Sequence, residues 1–420
     1  MEVIDASNIN FEKNEKSFEI DFETKKIVTD ILADISKNKE KAVKKYTKKF
    51  DKVNLEKLKI SENKIKKAYE SMDKNFLEII KEAKENIEKF HKNQVFKDFE
   101  YKTVNNSTMG QVTTPIKRVG FYVPGGTASY PSSVLMNVIP AIIAGVKELV
   151  LVSPPPISKE ILACSYLLGI KEIYSIGGTQ AIGAITFGTE TIKPVDKIVG
   201  PGNKYVAEAK RQVFGQVDID MIAGPSEILI LADKTSNPKF IARDLLSQAE
   251  HDENAKCFLL TNSEKTIKDT KKYLKEFINK SKRKNIIEKA IKQLKIYKTK
   301  NIKEMIDISN SIAPEHLEIL LKNPKKYLKE IENAGSIFIG PFSPEPVGDY
   351  FAGPNHTLPT SKTAKFFSPL GVYDFVKRSS YIEYSKKDLK TNGKKIIEFA
   401  KREKLFAHAN SIKERLDGLN

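Results

Sequence analysis

The sequence contains RVGFYVPGG (118–126), KELVLVSPPP (147–156), KEIYSIGG (171–178) and DKIVGPGN (196–203), four short apolar runs that each end in glycine or proline. A stretch compatible with a helix follows each run. Strands that alternate with helices predict βαβ units and a parallel sheet. The glycine-rich turns would then lie at the carboxyl ends of the strands, where open sheets of this kind bind their ligands.

A second series of candidate strands follows, with EILILAD (227–233), KCFLLTN (256–262), EMIDISN (304–310) and SIFIGPF (336–342). A lysine-rich helical stretch separates the second strand from the third. Because the alternation occurs twice, we predict an α/β protein with two similar Rossmann-like lobes, each built on a parallel sheet. N-terminal helices and a small helical C-terminal tail domain complete the predicted fold.

The length of 420 residues is too great for one ordinary core, so several domains are expected. We place an N-terminal arm at 1–22, a first lobe at 23–110 with 232–376, a second lobe at 111–231 and a tail domain at 377–420. The tail is too small for a core of its own, which predicts docking on another domain or subunit. In the N-terminal part, Ile31 and Ile35 recur at helical spacing, and Ser61 is a candidate helix N-cap.

Composition argues against several classes of protein. No apolar run is long enough to span a membrane, and the first residues resemble no secretory signal, so the cytoplasm is the expected location. Cys164 and Cys257 lie in separate apolar stretches, as buried reduced thiols do. The net charge of +17 suggests a nucleic-acid-binding protein as one alternative. However, the excess is mostly lysine interleaved with acids, and arginine is scarce, so neither nucleic acid nor membrane is an expected partner.

Four of the five histidines lie in segments rich in other functional groups. DLLSQAEHD (244–252) places Gln248 and His251 three residues apart, on one face of a helix. APEHLE (313–318) joins a carboxylate to an imidazole, which suits acid–base chemistry, although this segment alone favours a capped helix start with Glu in the first turn. GDYFAGPNHTLPT (348–360) is a long irregular segment that contains Asp349 and His356. KREKLFAHAN (401–410) contains Glu403 and His408. The remaining histidine, His91, lies in a charged helix and is expected to be solvated.

Nitrogen and oxygen donors without thiolates suit Zn²⁺, with Mn²⁺ or Co²⁺ as substitutes. Three loops could serve a nucleotide: YVPGG from Tyr122, GGTQAI from Gly177 and GPGNKY from Gly200. The last stands between a strand and a helix, where anions bind, although it lacks the final glycine of the dinucleotide motif. Tight turns would explain each loop alone, whereas three such loops in one lobe favour a nucleotide site.

In order, the segments GFYVPGG, GGTQAI, GPGNKYV, AGPSEILI, LLSQAEHD, APEHLE, GDYFAGPNHTLPT and the terminal E-x-x-x-x-H-A resemble histidinol dehydrogenases. The resemblance runs from about residue 20 to the end. It implies oxidation of L-histidinol to L-histidine in two steps through an enzyme-held aldehyde, with two NAD⁺ reduced. It also implies one zinc ion per subunit and an intertwined homodimer whose tail histidine enters the partner's site.

By this resemblance the first lobe carries the metal and catalytic residues, and the second lobe binds NAD. Glu315 and His316 would be the proton acceptors, and His356 would support the active site. The zinc ligands would be Gln248, His251, Asp349 and His408. The substrate would contact Ser226, Gln248, His251, His316, Asp349, Glu403 and His408. The NAD site would be lined by Tyr122, Gln180 and Asn203.

A rival prediction is a zinc hydrolase that acts on an amide or ester, with Glu315 as the base for water. The glycine-rich loops of the second lobe argue against a hydrolase, because hydrolysis requires no dinucleotide site.

Overall fold

The computed structural model describes residues 2–8, 21–125 and 130–419. These fall into two compact units, Met1–Gln94 with Lys117–Asp374 and Val95–Ile116 with Phe375–Asn420. No helix among the described residues has both the length and the apolar character needed to cross a bilayer.

The strands are, in chain order, β1 (Glu2–Asp5), β2 (Phe99–Lys102), β3 (Thr108–Pro115), β4 (Arg118–Tyr122), β5 (Glu148–Ser153), β6 (Glu172–Ser175), β7 (Lys197–Val199), β8 (Asp218–Ile219), β9 (Glu227–Ala232), β10 (Lys256–Thr261), β11 (Lys295–Lys298), β12 (His316–Leu320), β13 (Ser336–Ile339) and β14 (Val376–Glu383). The α-helices are α1 (Phe22–Phe50), α2 (Glu62–Glu70), α3 (Lys74–His91), α4 (Pro131–Ala144), α5 (Lys159–Leu167), α6 (Gly178–Phe187), α7 (Lys204–Val213), α8 (Pro238–Ala249), α9 (Glu264–Asn279), α10 (Lys284–Ile291), α11 (Ile302–Ile312), α12 (Glu345–Tyr350), α13 (Lys386–Arg402) and α14 (Phe406–Asp417).

The larger unit contains two parallel sheets with one strand order. The five-stranded sheet runs β6-β5-β4-β7-β8, and the six-stranded sheet runs β1-β11-β10-β9-β12-β13. Counted from the first strand of each series, both follow the order 3-2-1-4-5 of doubly wound folds, and β1 adds an edge strand beyond β11. The central strands β4, β7, β9 and β12 are buried along their whole length, as strands covered by helices on both faces are. The predicted pair of Rossmann-like lobes is confirmed.

The helices α2 and α3 begin at residues whose side chains cap them, and the first of these caps, Ser61, was predicted. Ser61 accepts a hydrogen bond from the Lys64 amide at the start of α2, and Asp73 accepts one from Phe76 at the start of α3. Val28, Ile31 and Ile35 of α1 pack into the core of the five-stranded sheet. We predicted that 23–110 belong with 232–376, the lobe of the six-stranded sheet. The boundaries of the lobes stay a prediction.

One predicted strand is wrong. EMIDISN lies in α11, and the strands nearby are instead β11 and β12. Asn301 caps α11 by accepting a hydrogen bond from the Glu304 amide, and Met305, Ile306 and Ile308 are buried on one face of the helix. The strand β12 escaped prediction because its buried residues include the polar His316 and Glu318.

The expectation that His91 is solvated is also wrong. Its imidazole is fully buried, and Nδ1 lies 2.7 Å from Oε1 of Gln94. Burial lowers the pKa of His91, which favours the neutral ring. Cys164 and Cys257 are buried free thiols, as predicted.

The smaller unit has an antiparallel sheet in the order β14-β3-β2, followed in the chain by α13 and α14. The tail was expected to be helical from residue 377, whereas β14 occupies Val376–Glu383. The unit leaves large apolar side chains exposed, among them Phe99, Tyr101, Ile382, Phe399 and Phe406.

Candidate active site

The predicted catalytic residues lie at the amino edge of the six-stranded sheet. His316 is the first residue of β12 and pairs with Ile228, near the start of β9. Helix α8 runs back from the carboxyl end of β9 to the start of β10, so its last turn also reaches this edge. Gln248 lies in that turn, and the His251 amide donates a hydrogen bond to the Gln248 carbonyl at 3.1 Å just beyond the helix end.

The His316 ring is held in one orientation by the backbone. Its Nδ1 lies 3.0 Å from the carbonyl oxygen of Glu227. A carbonyl can only accept a hydrogen bond, so Nδ1 carries the proton. The other nitrogen, Nε2, is buried and has no hydrogen-bond partner among the described residues. Nε2 lies 3.8 Å from Oδ1 of Asp349 and is the nitrogen available to a substrate.

Glu315 is buried beside this histidine. Its Oε2 accepts a hydrogen bond from the Glu227 amide at 2.7 Å and lies 3.7 Å from Nδ1 of His316. Burial raises the pKa of Glu315 to about 8. For His316, burial alone would lower the pKa, but the nearby carboxylates of Glu315, Asp349 and Glu345 raise it to about 10.

The residues His251, Glu345 and Asp349 form a cluster that can hold a metal ion. One ligand atom from each lies within 4.8 Å of the other two. Glu345 and Asp349 are four residues apart on α12, so they share a face of the helix. Ligands of a tetrahedral zinc ion lie about 3.4 Å apart, so small side-chain movements would bring these donors to coordination distance. Glu345 was not among the predicted site residues, although its i, i+4 spacing from Asp349 was a usable signal.

The side-chain amide of Gln248 is buried without a hydrogen-bond partner from the part of the chain that the structure describes. The side chain is 0 % exposed, and neither Oε1 nor Nε2 has a hydrogen-bond partner among the described residues. A buried amide in this state costs free energy, and coordination of a cation by Oε1 would remove part of that cost. The neighbouring Ser247 donates a hydrogen bond to Glu345 at 3.0 Å, which joins α8 to α12.

More acidic groups lie behind this cluster. Glu318 of β12 accepts a hydrogen bond from the Glu345 amide at 2.9 Å and also contacts Asp244 of α8. Burial raises the pKa of Asp244 to about 6, and it likewise raises the pKa values of Glu318 and Glu345. So many buried acids favour a bound cation. The described residues therefore fit a zinc ion in donor type, burial and charge.

A cavity of about 280 Å³ opens beside His316. Asp349, Asn355 and His356 also line it. His356 is held on both sides, by the Asp349 carbonyl 3.0 Å from Nδ1 and by the Ser133 hydroxyl 3.4 Å from Nε2. Its ring therefore connects α12 to α4 of the other lobe. Gly348–Tyr350 belong to α12, so the segment predicted to be irregular becomes so only after Tyr350.

Three predicted substrate contacts lie outside this cluster. Ser226 directly precedes Glu227, whose carbonyl holds His316, and is half-buried. Glu403 follows α13 and His408 lies in α14, both exposed in the smaller unit. The roles proposed for these three residues stay predictions.

The predicted NAD residues surround the carboxyl edge of the five-stranded sheet. Tyr122 ends β4, and its buried hydroxyl accepts a hydrogen bond from the Gly178 amide at 3.1 Å. Gln180 is also buried and donates to Asp51. Asn203 is exposed and caps α7, accepting from the amides of Tyr205 and Val206. Gly126 of the YVPGG loop lies outside the described residues. The turn before α7 is exposed, as a nucleotide-binding turn must be. Tyr122 and Gln180 are buried behind the glycine-rich turns, and Tyr122 holds one of them by its hydrogen bond with Gly178.

Comparison with known proteins adds to this geometry. The family model described as histidinol dehydrogenase matches residues 13–416. The chain belongs to the histidinol dehydrogenase family. It is therefore an enzyme, an oxidoreductase of the histidinol dehydrogenase type. The chain is 50% identical over 397 residues to histidinol dehydrogenase from Listeria monocytogenes serovar 1/2a, covering 94% of this chain and 93% of the relative. It is 48% identical over 395 residues to histidinol dehydrogenase from Clostridium acetobutylicum, covering 93% and 92%.

A solved relative has nearly the same fold. The crystal structure of histidinol dehydrogenase from Elizabethkingia anophelis matches with a TM-score of 0.93 and 40% sequence identity, covering 99% of this chain and 96% of that one. Membership of the family thus rests on both sequence and fold over almost the whole chain.

Proposed function

We propose that this chain catalyses the zinc- and NAD-dependent, four-electron oxidation of L-histidinol to L-histidine through L-histidinal, the last steps of histidine biosynthesis. The observation that carries the proposal is the position of His316 Nε2, which has no hydrogen-bond partner in the described part of the chain and lies in a cavity beside the carboxylate of Asp349. The names of the relatives supply the substrate.

Zinc would be held by Gln248, His251 and Asp349, with His408 as the fourth ligand. Glu345 lies within 4.8 Å of two of these residues and would balance the charge of the ion. When bound, zinc would bind the imidazole and amine of histidinol and so orient the alcohol carbon. The larger unit's own contribution is to fix Gln248, His251 and Asp349 at the adjoining ends of α8 and α12.

In the first oxidation, His316 would act as the neutral ring and accept the hydroxyl proton through Nε2; the charge of bound zinc would offset the nearby carboxylates that raise its pKa. The Glu227 carbonyl keeps the other ring nitrogen protonated, so the proton can only be taken at Nε2. NAD⁺, held at the turn that ends at Asn203, would supply the acceptor for the hydride that leaves the alcohol carbon. The alcohol loses two electrons and two hydrogens and becomes the aldehyde, which stays in the cavity.

In the second oxidation, Glu315 would take a proton from water as the water oxygen bonds to the aldehyde carbon. Its raised pKa of about 8 suits a group that exchanges protons near neutral pH. A second NAD⁺ in the same site would accept the hydride from the hydrated aldehyde, which would leave the carboxylic acid. Burial of both Glu315 and His316 limits the water that reaches them.

The dinucleotide would bind along the carboxyl edge of the five-stranded sheet, with Asn203 at its surface and Tyr122 and Gln180 beneath. This edge carries the glycine turns at the point where the strand order reverses, between β4 and β7. A homodimer with shared active sites is part of the proposal. The exposed apolar side chains of the smaller unit support it, because such surfaces are usually covered. Glu403 and His408 would then serve the partner's site.

The direct test is an assay of NADH absorbance with histidinol and NAD⁺, run on zinc-loaded protein, after chelation and after return of zinc. We expect two NADH per histidinol, loss of activity on chelation and recovery with zinc. An absent signal from zinc-loaded protein would overturn the proposal and favour a zinc hydrolase on an amide or ester. Full turnover by stripped protein would remove zinc from it.

The shared site has a separate test. His316→Asn and His408→Asn chains are co-expressed, so that mixed dimers form. Each mixed dimer would have one doubly altered site and one intact site, which predicts recovery of about one quarter of wild-type activity. Recovery no greater than the sum of the two separate variants would contradict a shared site.

A further inference from the structure

A buried ion pair lies under the turn that follows β7. The side chains of Lys210 on α7 and Asp220 after β8 form a salt bridge at 3% and 1% exposure. Ions are rarely buried so completely without a structural reason, because desolvation offsets much of their attraction. Both members of the pair also form hydrogen bonds with the backbone of the turn.

Both members of the pair bind Gly200. The Lys210 ammonium donates a hydrogen bond to the Gly200 carbonyl at 3.0 Å, and Oδ2 of Asp220 accepts one from the Gly200 amide at 2.7 Å. Asp220 also accepts a hydrogen bond from the Met221 amide at 2.6 Å. The two polar backbone groups of one glycine are thus fixed by two side chains that also bind each other.

Gly200 occupies a position that requires such support. Its φ of +119° lies in the region that favours glycine. A Cβ atom built on it would lie 2.0 Å from the carbonyl oxygen of Tyr122. Gly200 therefore lies against the end of β4, at the reversal of strand order, and it begins the turn that leads to Asn203.

We infer that Lys210 and Asp220 are positioning residues for the nucleotide, acting through Gly200 on the turn from 200 to 203. This inference rests on the proposed function, in which NAD binds at this turn. Because both side chains are buried, the pair would act through the backbone rather than by touching the nucleotide. It fixes the backbone that the nucleotide approaches, so ligand binding does not have to order that backbone.

The chain offers a matched control in Lys197. This lysine is equally buried, at 5% exposure, and pairs with Asp218 at 2.6 Å. It begins β7, whereas Gly200 follows the end of the same strand. Lys197→Met therefore removes a buried lysine from the same sheet at the opposite edge.

The experiment titrates NADH into zinc-loaded full-length wild type, Lys210→Met and Lys197→Met, following NADH fluorescence, with melting temperatures measured in parallel. We expect Lys210→Met to raise the Kd for NADH at least about tenfold, because the turn is no longer held in place. Lys197→Met should lower the melting temperature but leave the Kd within about twofold. Equal Kd values for wild type and Lys210→Met would overturn the inference and leave the proposed function intact.

A second measurement covers the case in which Lys210→Met does not fold. Asp220→Asn keeps the shape of the side chain and removes its charge, so a smaller rise in Kd is expected. Hydrogen exchange of the peptide containing Gly200 should quicken in Asp220→Asn and not in Lys197→Met. Unchanged exchange and unchanged Kd would reject the positioning role. Wild type that does not bind NADH would instead reject the proposed nucleotide site, and the inference with it.

Discussion

The two lobes share one strand order, yet the candidate chemistry lies at opposite edges of their sheets. In the five-stranded lobe, Gly200 and Tyr122 meet at the carboxyl edge, where the strand order reverses. In the six-stranded lobe, His316 and Gln248 lie at the amino edge. A single topology therefore offers two edges, and the local residues decide which one is used.

The carboxyl edge of the six-stranded lobe is filled by its own side chains. Asp233, just after β9, accepts hydrogen bonds from the Lys322 amide at 2.9 Å and the Thr235 amide at 2.7 Å. Ser236 donates to the Leu320 carbonyl at the end of β12. These bonds close the gap between β9 and β12 that would otherwise accept a ligand. The two lobes therefore show that a doubly wound strand order provides a possible ligand crevice, and that the local side chains decide whether the crevice stays open.

The largest expected effect separates the lobes directly. His316→Asn should lower kcat for both oxidations by about 10²–10⁴-fold, because it removes the proton acceptor. The Kd for NADH should not change, because the nucleotide would bind the other lobe. Steady-state kinetics with histidinol and with histidinal, beside an NADH titration, measure both. A His316→Asn variant with weakened NADH binding and normal turnover would contradict the division of labour.

The two proton acceptors have different expected roles. Glu315→Gln should slow aldehyde oxidation at least about tenfold more than alcohol oxidation, since only the second step requires water. Kinetics from histidinol and from histidinal separate the steps. Equal, small losses in both steps would refute this assignment.

The next effect concerns the buried amide. Gln248→Met has similar volume and removes the unpartnered polar atoms, so zinc-free protein should gain about 1–3 kcal/mol of unfolding free energy. Zinc should stabilise this variant less than wild type, by about 1.4 kcal/mol or more for each tenfold loss of affinity. Denaturant melts with and without zinc measure both. Lower stability together with an undiminished zinc effect would show that Gln248 is not a ligand.

A smaller effect is expected at the closed edge. Asp233→Asn should lower the unfolding free energy by about 1–3 kcal/mol, without changing KM for histidinol or NAD⁺. Burial alone would raise the pKa of Asp233, but hydrogen bonds from Lys322 and Thr235 lower it below its usual 3.8. The stabilisation is therefore present above that value and disappears as pH falls through the folded-state pKa. The variant and wild type should converge in acid, and a gap that widens in acid would contradict this.

The smallest effect joins the lobes. Ser133→Ala removes the 3.4 Å contact with His356, which is long for a hydrogen bond. A change in kcat below about twofold is expected from steady-state assays. A loss as large as that of His316→Asn would place Ser133 in the catalytic machinery.

Much of the fold followed from local signals. Apolar runs ending in glycine or proline predicted β4, β5, β6 and β7, and the capping residue Ser61 predicted the start of α2. Prediction from sequence failed where a buried strand contains polar residues. Strand β12 includes His316 and Glu318 and so lacks an apolar run. Prediction also failed at α11, where the Asn301 cap was overlooked.

The site was harder to predict than the fold, because its members come from distant segments. Adjacent residues such as Glu315 and His316 could be singled out from sequence. Their grouping with Asp349 depended on family resemblance, since only the folded chain brings α12 to β12. Glu345 was missed despite its i, i+4 spacing from Asp349. The Lys210–Asp220 pair could not be predicted, because only the tertiary structure brings its two members together.

The most direct measurement is anomalous diffraction at the zinc absorption edge from zinc-loaded crystals. We expect one peak per chain at the amino edge of the six-stranded sheet, about 2.0–2.2 Å from donor atoms of Gln248, His251 and Asp349. A peak elsewhere, with these three side chains free of metal, would contradict this expectation.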